Sequence, residues 1–192
     1  MFATQEASRF LRFANGSYTR RVRLSDEFRP NDLVKVTTKL LALCSTSIEP
    51  AILDIDSTGG DFQTAHVLSG LIPQLRSPIY GLVVGNCYSS AFHILQSCPV
   101  RLALPIASLA FHNNYKNVVI ETTADMDIEI ITKMLAEQKI ERARSREVIL
   151  SAIQRRNPSY SRNQLLQMMR EGKPMTADSA LSKGFIDEIV RY

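Results

Sequence analysis

Along this chain short apolar runs alternate with stretches in which apolar residues return every third or fourth position, a pattern that predicts strands interleaved with amphipathic helices. Leu33, Val36, Leu40 and Leu43 fall at helical spacing, and with Asn31 and Asp32 as caps they predict a helix over 32–44. Residues 50–56 read as a buried strand that runs into a turn at Ser57-Thr58-Gly59-Gly60. Ala65, Leu68, Leu71, Ile72 and Leu75 predict a second helix over 62–75, its last turn kinked or frayed by Pro73. Residues 78–84 form the next strand, Gly85 follows, and a helix begins near Ser89. Two short strands, 100–104 and 108–112, flank Pro105. A long charged helix is expected over 126–156, stopped by Asn157-Pro158. Ser161 caps a short helix through Met169, Thr176 caps another closed by Gly184, and 185–190 make a last strand. Residues 1–20 are weakly periodic and basic, and read as an arm or short helix. Strands alternating with helices imply an α/β layered fold with mainly parallel pairing.

Composition narrows this picture modestly. The 192 residues, 45% of them hydrophobic, suit one domain with a substantial core. The net charge of +4 comes from two basic segments, 1–30 and 132–156. The excess is mild for a nucleic-acid binder, so both read as solvated helix faces and subunit contacts, not a nucleic-acid surface. No uncharged apolar run is long enough to span a membrane. Glu6, Arg9 and Arg12 interrupt the N-terminal apolar residues, which therefore do not read as a signal peptide. Cys44, Cys87 and Cys98 are odd in number and lack C-x-x-C spacing, which argues against a disulfide framework or a zinc site and suits a reducing compartment. The cytoplasm is the expected location, and neither metal nor cofactor is expected.

Two loops that follow buried strands carry the candidate chemistry. In Asp56-Ser57-Thr58-Gly59-Gly60-Asp61 the paired glycines permit φ > 0 and close approach of a ligand to the main chain. In Gly85-Asn86-Cys87-Tyr88-Ser89-Ser90-Ala91 a serine sits at a strand-to-helix junction, where a helix N-terminus supplies unpaired N–H groups. A serine so placed can attack a carbonyl while neighbouring amides hold the oxyanion. It needs a base. His66 lies near the start of an amphipathic helix and reads as structural. His93, four residues after Ser89, projects one turn along the same helix and reads as a packed or interface histidine. His112 closes the strand 108–112 and can reach a cleft built by the other two loops, which makes it the best base of the three.

Taken together, four segments resemble the Clp-protease (ClpP-like) serine peptidases. Ile55 to Asp61 resembles that family's strand-end Gly-Gly motif, with Thr58 where proline is usual. Gly85 to Ser89 resembles its nucleophile segment, and Leu104 to His112 its histidine segment. Thr176 to Asp187 matches its closing pattern of small helix, glycine and apolar strand. Ser89 follows Gly60 by 29 positions, as in the family, and His112 follows Ser89 by 23, slightly fewer than usual. The resemblance implies a ClpP/crotonase-like layered fold of repeated β-β-α units over 25–192, with a protruding strand-helix handle at about 113–156 and an N-terminal basic arm, 1–24. It implies Ser89 as nucleophile, His112 as general base and acid, and the backbone N–H groups of Gly60 and Ser90 as the oxyanion hole. Its implied partners are a peptide or unfolded protein as substrate and further copies of the chain, in a ring or stacked rings. Neither nucleic acid nor membrane is among them.

The chain also departs from the family. The acidic third member of the triad falls on Gly172, which has no side chain; Glu171 is adjacent and longer, and is the candidate to reach the histidine from a shifted backbone. Without it, a Ser–His dyad or a weakly active subunit with an assembly role is implied. The strand after the histidine carries Asn113-Asn114-Tyr115-Lys116-Asn117 where glycines are usual. Residues 1–24 do not resemble the axial loops, which leaves docking of an AAA+ unfoldase open. Two rival readings fit less well. A crotonase-type acyl-CoA enzyme usually works through glutamates, and neither loop places one; a membrane Ser–Lys peptidase would need a membrane segment.

Overall fold

The computed structural model describes residues 19–112 and 128–191. Its centre is a seven-stranded sheet ordered β1 (Arg21–Phe28), β2 (Ala51–Gly60), β3 (Ile79–Tyr88), β4 (Val100–Ala103), β7 (Glu188–Ile189), with every neighbouring pair parallel. A side branch leaves β3, where β5 (Ser108–Ala110) pairs parallel to its end and β6 (Met175–Thr176) pairs antiparallel to β5. The helices are α1 (Pro30–Thr46), α2 (Phe62–Leu71) with a 3₁₀ turn at Ile72–Gln74, α3 (Ser90–Ser97), α4 (Ile128–Gln154), α5 (Arg162–Glu171) and α6 (Ala177–Lys183). The layered, mainly parallel α/β fold expected from the pattern is the one observed.

Side-chain period two divides the sheet into unequal faces. Val22, Leu24, Leu53, Ile55, Ile79 and Val83 belong to the large core that the helices cover. Ile52, Leu82, Val100, Leu102 and Val190 form a smaller cluster. Arg21 and Arg23 of β1 pair with Asp54 and Asp56 of β2, which explains two acids inside an otherwise buried strand. Arg20, just before β1, ties the end of α1 to the start of β2 by donating to the carbonyls of Leu43, Ser47, Glu49 and Pro50.

Several boundaries differ from the expectation. Arg21–Leu24, assigned to the basic arm, begin β1; their alternation of arginine with Val22 and Leu24 is a strand pattern, too short to stand out beside the basic charge. The rest of the expected arm, 1–18, and residues 113–127 of the expected handle lie outside the described residues. Helix α1 starts at Pro30, a residue that suits a first turn because the missing N–H would be unpaired there, and Asp32 works from inside the helix by accepting from the N–H of Arg29 (3.1 Å). Helix α2 gives way to the 3₁₀ turn at Ile72, as Pro73 predicts. The expected strand 108–112 stops at Ala110, because β3, its partner, turns into α3 one residue beyond Tyr88. Ser161, Thr176 and Gly184 cap as expected.

A bend in β3 prepares the site. Ile55 and Ser57 of β2 face Val83 and Cys87 of β3, so β3 sets three residues, Val84, Gly85 and Asn86, against Asp56 alone. The Asp56 carboxylate accepts from the N–H of Asn86 (2.9 Å), and a Cβ at Gly85 would lie 2.3 Å from that same oxygen. A side chain at Gly85 would therefore have to displace the carboxylate beside it. Below the bulge β3 pairs with β4, and above it with β5.

At the far side of the sheet Arg101, with no exposed surface, is held by Asp187 through its backbone N–H (2.8 Å), Nε (3.1 Å) and Nη2 (2.8 Å), and donates from Nη1 to Gln96 (2.7 Å). Gln96 in turn donates to the carbonyl of Phe185 (3.0 Å), joining α3, β4 and the last strand. Removing one partner strands the other charge in the interior. Arg101→Leu is expected to cost about 3–5 kcal/mol, read from the urea midpoint, and adding Asp187→Leu to recover most of the loss.

Candidate active site

Ser89 stands between the last residue of β3 and the first of α3, with φ 54° and ψ −122°. Positive φ in a residue with a side chain costs on the order of 1–3 kcal/mol and persists only where the surroundings fix it. Three contacts fix it here. The N–H of Ser89 donates to the carbonyl of Ala110 (2.9 Å), its carbonyl accepts from the N–H of His93 (3.4 Å), and Gly59 presses against its side chain. A Cβ at Gly59 would lie 2.8 Å from the Cβ of Ser89 and 3.1 Å from the nitrogen of Ser90, and Gly59 itself has φ +102°. Only glycine fits.

Gly60 is constrained from the other side. A Cβ there would fall 2.0 Å from the carbonyl oxygen of Phe28, and the hydroxyl of Ser90 donates to the carbonyl of Gly60 (3.0 Å). The two loops are thus bonded to each other, with Asp61 as N-cap of α2, accepting from the N–H of Thr64 (2.8 Å). Ser90 is the first residue of α3, where a backbone N–H has no acceptor within the helix.

Register carries the chain that leads to His112 alongside the Ser89 turn. Tyr88 faces Ala110 across the β3–β5 pair, so the chain beyond Ala110 runs past Ser89. Phe111, stacked on Phe92 with ring centroids 5.3 Å apart, anchors that step in the core, and His112 follows it half-buried. Tyr88 also donates to the hydroxyl of Ser108 (2.9 Å), which fixes the two strands side by side.

The antiparallel β5–β6 pair sets Ser108 against Thr176 and Leu109 against Met175. The same register carried outward sets His112 against Gly172, and a Cβ on Gly172 would lie 3.2 Å from the Cβ of His112. Gly172 ends α5 in the left-handed region, φ 59° and ψ 17°. Glu171, the preceding residue, is exposed, and its carboxylate accepts from Gln167 one turn back along α5 (2.9 Å). Position 172 faces the histidine, then, while the carboxylate of Glu171 lies along its own helix.

Chemistry elsewhere in these loops is muted. Burial pushes the thiol of Cys87, two residues before Ser89, well above its ordinary range, so it stays protonated and unreactive. Cys44 and Cys98 are also buried and unpaired, with burial pushing Cys98 up to about 12. His93 is fully buried and packed, with Nδ1 3.2 Å from the hydroxyl of Ser145 on α4, and His66 of α2 lies beside it. Among the described residues no cluster of three or more ligating side chains is suited to a metal, and no helix is long and apolar enough to cross a membrane. Nothing in the local sequence marks Gly59 as the residue in contact with Ser89, or Asp56 as the group beside Gly85; the paired glycines signal only that something approaches closely there.

The fold is shared with known peptidases. A peptidase from Plasmodium falciparum superposes with a TM-score of 0.74 at 22% identity, covering 90% of this chain and 96% of that one. A point mutant of ClpP1 from Listeria monocytogenes superposes with a TM-score of 0.73 at 21% identity, covering 91% of this chain and 92% of that one. Among curated protein sequences nothing matches. The model of the Clp protease family matches residues 7–192, nearly the whole chain and every element that builds this site, so this chain belongs to the Clp protease family.

Proposed function

We propose that the protein is a serine endopeptidase that cleaves peptide bonds through an acyl-enzyme, with Ser89 as nucleophile and His112 as the group that takes and returns its proton. The observation that carries this reading is the strained Ser89 at a strand-to-helix turn, pressed by a glycine loop on one side and flanked by the histidine strand on the other. Attack by the Ser89 hydroxyl on the scissile carbonyl passes its proton to His112, which then protonates the leaving amine; water reverses the sequence. The N–H groups of Gly60 and Ser90 hold the oxyanion in both halves. Ser90 supports the loop through its bond to Gly60.

The proton chemistry runs as a Ser–His pair. In serine proteases loss of the orienting carboxylate costs about 10⁴ in rate, so a slow enzyme is the expectation. A weakly active subunit whose main role is assembly is the second reading, favoured by Gly172 facing the histidine. Assembly itself is supported by α4, which leaves Ile128, Ile130, Leu135 and Ile140 exposed on several sides of the helix, apolar area that contacts with other copies in a ring or stacked rings would cover. Substrates are peptides or unfolded protein that enter such an enclosure.

A fluorophosphonate probe followed by peptide mapping tests the nucleophile. One adduct on Ser89, lost in His112→Ala, is expected, with Ser89→Ala inactive and Ser90→Ala slowed by about tenfold or less, the worth of one hydrogen bond. Equal loss from both serines would overturn the register. Gly172→Asp, at a backbone conformation that aspartate tolerates, is expected to raise kcat for a fluorogenic peptide at least about tenfold, while Glu171→Gln leaves it within about twofold. Leu135→Asp with Ile140→Asp is expected to lower the oligomeric mass in native mass spectrometry.

A further inference from the structure

Beneath the two catalytic loops lies a pair of histidines that the proposed chemistry does not use. His66 belongs to α2, which starts directly after Gly59-Gly60, and His93 to α3, which starts directly after Ser89. Their ring centroids are 5.6 Å apart, and Phe62 closes over both, 6.0 Å from His66 and 5.8 Å from His93. Nδ1 of His93 meets the Ser145 hydroxyl of α4 at 3.2 Å. Nε2 of His93 and Nδ1 of His66 are both buried, and neither has a hydrogen-bond partner among the described residues.

A neutral imidazole tolerates this place and an imidazolium does not. Protonation adds a charge and a donor to a buried nitrogen that faces no acceptor among the described residues, beside the ring of His66. The described groups in contact with the pair carry no negative charge. From α2 come Phe62 and His66, and from α4 comes Ser145. Glu141, one turn before Ser145, is engaged by Gln63 (3.5 Å), and Arg144 and Arg146 flank Ser145 with charge of the wrong sign. We propose that the His66–His93 pair is an acid-operated latch: neutral, it lets α2, α3 and α4 close on one another and sets the two loops; protonated, it opens that junction and releases them.

The direction of the pH effect follows from burial, with His66 adding to it: His93 is held down from 6.5 to about 4. Between those values the unfolded or opened chain binds the proton that the closed junction refuses, so closure is fully favoured above about pH 6.5 and weakens as pH falls toward about 4. The inference does not depend on Ser89 being a nucleophile, since the latch is read in the backbone.

Amide hydrogen exchange of the full-length protein, corrected for the intrinsic pH dependence of exchange, tests it. Exchange in α2 and α3 is expected to quicken at least about tenfold between pH 7 and pH 5, relative to β2 and β4, with His93→Gln abolishing that difference and His66→Gln reducing it. His66→Phe, which keeps a ring beside Phe62, serves where a glutamine variant fails to fold at pH 7. No selective opening in the wild type, or the same opening in the variants, would overturn the latch.

Discussion

The contact between Gly59 and Ser89 is the constraint on which the site depends. The two residues belong to the ends of adjacent parallel strands, and they approach so closely that no Cβ fits at position 59. That approach holds Ser89 at positive φ, which aims the chain from β3 into α3. The bulge at Gly85-Asn86, fixed by Asp56, produces the bend upstream of it. A loop, a strand and a helix are thereby set by one short-range steric fact and one carboxylate–amide bond.

Everything farther out serves to keep those strand ends in register. Parallel pairing places the C-terminal ends of β2, β3 and β5 on one side, where loops can converge, and ligands of open α/β sheets are commonly found at such ends. Buried Leu53, Ile55, Ile79 and Val83 anchor the centre, while Arg101 and Asp187 lock the opposite margin. A buried ion pair adds little net stability over an apolar pair of the same shape, but it penalises any shift that parts the charges. The likeness in fold to peptidases only 21–22% identical in sequence is in keeping with this, because such constraints fix positions and sizes more than identities.

Much of the fold was legible in the pattern. Helices α1 and α2 carried apolar spacing, α5 and α6 carried caps, and β2 and β3 were apolar runs that begin after proline, with Asp54 and Asp56 the only charges in β2. What the pattern missed was short or mixed in signal. β1 hid its period-two alternation among arginines, and β6 is two residues long, held only because β5 offers an edge. Of the candidate site, a serine at the β3–α3 junction and His112 were picked out by residue type at strand ends, while the roles of Gly60 and Ser90 came from the resemblance to the Clp-protease family. Glu171 was picked out by adjacency alone, and its bond to Gln167 along α5 is a matter of side-chain direction that no spacing reveals.

By itself the sequence determined most of the strands and helices, the caps at Ser161 and Thr176, the parallel α/β class and the segments that could hold a nucleophile and a base, because each of these is written in local periodicity and residue chemistry. Tertiary structure alone decided which glycine touches Ser89, which carboxylate lies beside Gly85, that position 172 faces His112, and that His66 and His93 share one buried junction. Those depend on register between strands and on the crossing of helices, where residues far apart in the chain compete for the same few cubic ångströms.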